Sequence, residues 1–211
     1  MKIVVFGATG LTGGEVLKQA LEAGHSVTAV ARSPEAITTK HERLTVVKGD
    51  AQNAGEVSAA VAGQDAVVVA LGSRNLKPTT LYSDAARNVT AAMKQHGVKR
   101  LTWLSAAGVG DSADQTRRSS FIFGRIVMPL MLKNVYADHA RAIDVLKQSG
   151  VEFVVARPVQ LKNSPAVGKI IVTPPTEKIP HLTITRADVA KFLLEQLSSN
   201  AHVGQGPVIS N

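Results

Sequence analysis

The sequence contains no cysteine. Disulfides, thiolate catalysis and cysteine-ligated metal are thereby excluded, a composition that suits a reducing compartment without requiring one. Aromatic residues make up only 4% of the chain, which leaves little material for the stacking platforms that nucleic-acid bases need. No apolar run reaches the ~18 residues of a membrane-spanning helix. Lys2–Phe6 enter a strand pattern directly, with no basic leader or cleavage site before them. The chain therefore reads as soluble and cytoplasmic. Negative charge is also scarce: 24 Lys+Arg stand against 16 Asp+Glu, a formal charge of +8. Such a surplus favours anionic partners by long-range attraction. Nucleic acid, a polyphosphate cofactor and a carboxylate-bearing substrate all answer that description, and the low aromatic content weighs against the first. His25, His41, His96, His181 and His202 show no metal-ligand spacing, so no metal is expected.

What the chain has in quantity is apolar sequence, 45% of it, arranged as short β-branched runs with helical patterns between them. That alternation predicts an α/β fold, a mostly parallel sheet covered by helices on both faces. Strands are expected at Lys2–Phe6, Ser26–Ala31, Leu44–Lys48, Ala66–Ala70, Arg100–Leu104 and Glu152–Ala156. Helices are expected at Leu11–Ala23, Ala54–Ala62, Thr80–His96, Asn134–Ser149 and Ala187–Leu197. Thr185 and Asp188 have the spacing of a capping pair before the last helix. Gly24, Gly97 and Gly150 stand where a helix must stop before a strand, positions that want a left-handed residue. No repeat or linker interrupts residues 1–211, which read as one domain.

One segment, residues 106–133, breaks the rhythm. Arg117, Arg118, Arg125 and Lys133 are interleaved there with Phe121, Ile122, Phe123, Ile126, Val127, Met128, Leu130 and Met131. Long connections in compact domains are often functional lids. Three readings stand open: a short extra helix packed on the body, a cap over the substrate, or a subunit contact.

Chemistry concentrates first at Gly7-Ala-Thr-Gly10-Leu-Thr-Gly13, between the first strand and first helix. Gly7 permits the tight turn, Gly10 lets backbone approach a pyrophosphate, and Gly13 lets the helix pack closely. The helix N-terminus adds N–H donors and partial positive charge. This is the context of a Rossmann-type doubly wound, dinucleotide-binding fold, although the glycines are spaced G-x-x-G-x-x-G. The end of the second strand carries Ala31-Arg32-Ser33 where an NAD site wants a carboxylate for the ribose hydroxyls. A guanidinium and a hydroxyl would instead hold a 2′-phosphate, so Arg32 and Ser33 indicate NADPH (NADP+). Asp50 and Ala51 after the third strand face the adenine. Leu71, Gly72 and Arg74 follow the fourth, with Arg74 open as a phosphate contact or a substrate anchor. Ser105 ends the fifth strand within reach of the nicotinamide or an acceptor. His139, after Asp138 in the next helix, is a candidate acid or a capping residue, and Arg157-Pro158 closes the sixth strand beside the expected carboxamide.

With these residues together, the chain resembles the atypical short-chain dehydrogenase/reductase family over essentially its whole length. Within that family it is most similar to the flavin and biliverdin reductase branch. The likeness is carried by Val61-Ala-Gly-Gln-Asp-Ala-Val-Val-Val-Ala-Leu-Gly-Ser-Arg74, by Pro78-Thr-Thr80, by Ala86-Arg-Asn-Val89 and by Ala91-Ala-Met-Lys-Gln-His-Gly-Val98. The resemblance implies NADPH contacts at Gly7, Thr9, Gly10, Leu11, Thr12, Arg32, Asp50 and Arg74, a site serine at Ser105, and hydride delivery to flavins, tetrapyrroles or quinone-like acceptors. The chain departs from that branch at Val159 and Gln160, where the branch has a second proline and a histidine, and in a longer, more basic 106–133 segment.

The wider family's Tyr-x-x-x-Lys acid is missing: Tyr82 is followed at four by Ala86, and Tyr136 by Ala140. Reduction of an ordinary ketone then lacks a proton donor, whereas a flavin delocalises incoming charge and needs less help. Two alternatives remain open: a redox-sensing regulator that binds NADP(H) without turnover and acts through protein partners, and an isomerase that would need a further base. A monomer or weak homo-oligomer suffices for any of these.

Overall fold

The computed structural model describes residues 1–73, 76–120 and 131–211. Its central sheet contains β1 (Lys2–Phe6), β2 (Ser26–Ala31), β3 (Leu44–Lys48), β4 (Ala66–Val69), β5 (Arg100–Leu104) and β6 (Glu152–Pro158). Three-residue strands follow: β7 (Gln160–Lys162), β8 (Ile171–Thr173), β9 (Thr183–Thr185) and β10 (Val208–Ser210). The helices are α1 (Leu11–Glu22), α2 (Ala54–Val61), α3 (Leu81–His96), α4 (Ala113–Ser119), α5 (Lys133–Ser149) and α6 (Arg186–Glu195). The large sheet runs β3-β2-β1-β4-β5-β6-β10-β8, parallel except for β8 against β10, while β7 and β9 pair separately. This is the doubly wound α/β architecture that the apolar runs imply. The strand order reverses direction between β1 and β4, which opens a crevice at their carboxyl ends.

The core follows from the two-residue period of a strand. Val4, Phe6, Val67, Val69, Leu101, Trp103 and Val155 face one side, where α2, α3 and α5 cover them with Val57, Val89, Met93, Ile143 and Leu146. Ile3, Val5, Val68, Val154 and Ala156 face the other, under α1 and α6 with Val16, Leu17, Val189 and Leu193. Both faces being covered explains why these strands read as unbroken β-branched runs. The six long strands and the five principal helices sit at the expected positions, within a residue or two at their ends.

Helix ends behave as their residues dictate. Gly24, Gly97 and Gly150 have φ of 83°, 69° and 74° and stop their helices in the left-handed region. Thr185 Oγ1 accepts from the Asp188 N–H at 3.0 Å, the anticipated cap of α6. Asp188 does more than cap. It is fully buried, and its carboxylate accepts from Thr185 Oγ1, from the N–H groups of Val167 and Gly168, and from Asn211 Nδ2.

The irregular 106–133 segment opens with a 3₁₀ turn at Gly110–Ser112 and then α4. Buried Gln115 fastens α4 to the body: its Nε2 donates to the carbonyls of Pro174 at 2.8 Å and Glu177 at 3.2 Å. For residues 113–119 the structure therefore shows a short helix packed on the body. The remainder of the basic, apolar stretch, residues 121–130, lies outside the described residues. Strands β7 to β10 have no counterpart among the expected elements, because three residues are too few to display a period.

Burial alone would raise the Asp188 pKa, but hydrogen bonds from Thr185, Val167, Gly168 and Asn211 outweigh it and hold the carboxyl below the usual aspartate range. The stability this contributes is whole above the unfolded aspartate pKa and is lost as pH falls through the folded one. Asp188→Ala should cost about 3 kcal/mol or more in urea unfolding at neutral pH, because several buried donors lose their acceptor. A loss under about 1 kcal/mol would mean that water replaces the carboxylate.

Candidate functional site

The site is built on a backbone contact. Gly7 has φ of 90°, and a Cβ there would lie on the Ala70 carbonyl at the end of β4. A Cβ on Gly13 would lie on the Gly7 carbonyl. Both glycines are therefore required for β1, the turn and α1 to meet the end of β4. A Cβ on Gly10 would stand 3.3 Å from the Gly7 carbonyl, a tight but lesser constraint. The turn is closed by Gly10 N–H donating to the Gly7 carbonyl at 3.0 Å.

Gly10 caps α1 without a side-chain acceptor, and no acidic residue stands in the first turn. The N–H groups of this helix end, at Leu11, Thr12 and Gly13, thus point their partial positive charge at the crevice with no competing carboxylate. Thr9 and Gly10 are exposed beside it, Thr12 is buried, and Leu11 is 65% exposed, a large apolar side chain on the crevice rim. This is the cradle that a pyrophosphate fits.

Because β3, β2, β1, β4 and β5 are neighbours in that order, their carboxyl ends line up along one edge. Arg32 and Ser33 are exposed past β2, and the Arg32 guanidinium has no hydrogen-bond or ion-pair partner among the described residues. At the end of β3, Asp50 Oδ1 accepts from the Gln52 N–H at 3.0 Å, and the carbonyl of buried Ala51 accepts from Asn88 Nδ2. Leu71 and Gly72 continue past β4. Arg74 lies outside the described residues. Ser105 ends the row: it is buried, its N–H is held by the Ala156 carbonyl, and its Oγ has no hydrogen-bond partner among the described residues. A hydroxyl in that state calls for an acceptor or donor that the protein does not supply. The edge therefore fits a dinucleotide on two counts, the glycine cradle and the orphaned serine.

The structure places Arg157 and Pro158 at the carboxyl end of β6, next to β5, and His139 inside α5. At Arg157 the N–H donates to the Pro207 carbonyl at 3.0 Å, and the Pro158 carbonyl accepts from Ala107 at 2.9 Å, so these groups hold the sheet together. The Arg157 side chain is buried and paired with Asp111. By strand alternation it shares the α5 face with Phe153 and Val155. His139 is buried in α5 and stacks on the Tyr82 ring, centroid to centroid 3.7 Å, with its Nδ1 unpartnered. Burial drives its pKa down to about 4 against the pull of Asp138. It is a neutral ring at physiological pH and a weak candidate for proton donation.

Sequence reasoning missed what this stack supports. The Tyr82 hydroxyl accepts from the Ser73 N–H at 2.8 Å, so the tyrosine grips the segment leaving β4. Fully buried Asp138 accepts from the Tyr82 N–H at 2.8 Å and from Ser83 Oγ at 2.6 Å, which fixes the start of α3. The cue was available in α5, where Asp138 and His139 fall on the buried stripe of Val135, Ala142 and Leu146. The other tyrosine, Tyr136, donates to the Ala107 carbonyl at 3.1 Å, and burial pushes its pKa up to about 12. It carries no lysine partner four residues on, as the sequence already shows.

The comparisons with known proteins bear on this crevice directly. Residues 7–200 match the model of the family described as NAD(P)H-binding. The chain belongs to that NAD(P)H-binding family. A chloroplastic relative from Arabidopsis thaliana is 27% identical over 206 residues, spanning 93% of this chain and 71% of that protein. Among solved structures, a short-chain dehydrogenase/reductase from Veillonella parvula in complex with NADP superposes with a TM-score of 0.81, covering 100% of this chain and 94% of its own at 19% identity. ChuY, an anaerobilin reductase from Escherichia coli O157:H7, gives 0.80 over 99% and 96% at 24% identity. The resemblance to atypical short-chain dehydrogenases/reductases is thus realised in the fold. Among the described residues no helix is long and apolar enough to cross a membrane.

Two measurements check the site. Gly13→Ala should weaken cofactor binding at least about tenfold and cost about 2 kcal/mol of stability, since backbone must move to admit the methyl. A variant that binds NADPH normally would remove the close-approach argument. His139 should show no imidazole titration by NMR between the ordinary histidine pKa and about 4. Its contribution to stability is whole above the unfolded histidine pKa and is lost as pH falls toward the folded value. A midpoint near the ordinary histidine value would show the ring to be solvated.

Proposed function

We propose that the protein is an NADPH-dependent reductase that delivers hydride to flavins or to similar planar acceptors such as tetrapyrroles and quinones. The observation that carries this reading is the combination at the end of β5. Ser105 offers a buried, unpartnered hydroxyl among the described residues, while burial raises the pKa of both Tyr82 and Tyr136 and neither has a lysine four residues on to offset it. An acceptor that spreads incoming charge over a conjugated ring system suits such a site better than an isolated ketone. The likeness to an anaerobilin reductase supports the same class of acceptor.

In this reading the first-turn N–H groups of α1 hold the pyrophosphate, and Gly7, Thr9 and Gly10 form its cradle. Arg32 and Ser33 clamp the 2′-phosphate, with Asp50 and Ala51 beside the adenine and Leu71 and Gly72 lining the ribose side. Arg74 would add a cation there. Bound in this way, NADPH supplies the hydride. Ser105 orients the nicotinamide or the acceptor, and the protein's main contribution is proximity. Tyr82 and His139 act as positioning residues, setting the segment at Ser73 rather than moving a proton. Solvent provides the proton to the reduced acceptor.

The test is NADPH oxidation with FMN, FAD, riboflavin, quinones and biliverdin, run in parallel with NADH and with Ser105→Ala. Flavin-dependent turnover that prefers NADPH and falls in the serine variant is the expected result. Tight NADPH binding without turnover on any acceptor would overturn it in favour of a redox-sensing regulator. Arg32→Ala should raise the KM for NADPH about tenfold or more while leaving NADH nearly unchanged, because only the former loses a charge-assisted pair. Equal losses for both cofactors would refute the 2′-phosphate clamp.

A further inference from the structure

A second cavity, of about 480 Å³, lies on the flank of the sheet away from the glycine cradle. Its floor is the α5-facing side of β6 and β10, with Phe153, Val155 and Val208, and α5 adds Ile143 and Lys147. The roof is α4 and the turn at Pro174 and Pro175, which Gln115 ties together. None of the nucleotide-crevice residues lines it.

The cavity has three features that its packing leaves unexplained. Arg157 is buried and lines it, and its Nε has no hydrogen-bond partner among the described residues. Thr173 is also buried and lines it, and its Oγ1 is likewise without a partner among them. Two unpartnered polar groups on residues that line one cavity favour a polar ligand there. The third feature is charge. Asp111 pairs with Arg157 and, at 3.4 Å, with Lys147, so one carboxylate faces two cations. The guanidinium itself is accommodated by a glycine, since a Cβ on Gly206 would stand 2.8 Å from its central carbon. The other walls, Ile143, Phe153, Val155, Val208 and the prolines, are apolar.

We propose that this cavity binds an organic monocarboxylate with an apolar body, at a site separate from the nucleotide crevice. The carboxylate takes the surplus positive charge of Arg157 and Lys147 and accepts from Thr173, while the body lies on Phe153, Val155 and Val208. The volume suits a ligand of roughly ten to twenty non-hydrogen atoms. A neutral molecule of the same shape would leave the cations unanswered, and a dianion would exceed the single charge available.

The test titrates decanoate, and decanol as its uncharged control, into NADPH-saturated protein followed by amide-resolved NMR. Saturable shifts at Val172, Gly204 and Gln205, with decanol binding about tenfold more weakly, are expected. Lys147→Gln should bring decanoate close to decanol. Thr173→Val should weaken decanoate binding yet leave the ligand-free protein as stable or more so, because it removes an unpartnered buried hydroxyl. Equal binding of decanoate and decanol would overturn the proposal. So would shifts centred on Gly7–Gly13 with release of NADPH, an unchanged affinity in Lys147→Gln, or no saturable shift at millimolar decanoate.

Discussion

Everything at the cofactor edge depends on how closely three stretches of backbone approach one another: the turn at Gly7, the start of α1 at Gly13 and the end of β4 at Ala70. Their closeness arises because two positions have no Cβ, and because the β-branched cores of β1 and β4 are already hydrogen-bonded in register. The crevice, the direction of α1 and the exposure of its first-turn N–H groups all follow. The positive end of a helix favours an anion, which in the proposed reading is the pyrophosphate of the cofactor.

The same logic of deliberate incompleteness applies at Ser105. Buried hydroxyls in folded proteins almost always find partners within the protein. In the proposed reading, the partner of the Ser105 hydroxyl belongs to what binds in the crevice. The neighbouring stack of Tyr82 on His139 is the opposite case, a polar arrangement completed internally apart from one ring nitrogen. Its rigidity passes to the segment at Ser73, so a group remote from any reacting atom fixes where the backbone runs.

Most of the sheet was legible because strands buried on both faces must be apolar at every position, and because Gly24, Gly97 and Gly150 mark the helix stops. The placement of the glycine turn, Arg32, Asp50 and Ser105 along one edge was legible for a related reason: each lies immediately past a strand, and neighbouring parallel strands bring their ends together. The pairing of Tyr82 with His139 was not, since no local spacing relates residues on two different helices. Nor was the burial of the Arg157 side chain, whose ion pair with the exposed Asp111 depends on a loop that has no period to read. Strands β7 to β10 were hidden by their length alone.

The position of β10 has a consequence for the order in which the molecule assembles. β8 precedes β10 in the chain, yet within the sheet it is hydrogen-bonded to β10 and to no other strand among the described residues. It therefore has no template until β10 has been laid against β6. The pair must arrive together across a long loop, a closure whose entropic cost precedes its reward. The same two strands should leave together when the native state breathes, as one cooperative unit at the low end of the local stability scale. The wall of the second cavity opens with them, while the nucleotide edge, built on β1 to β5 away from that end of the sheet, stays in place.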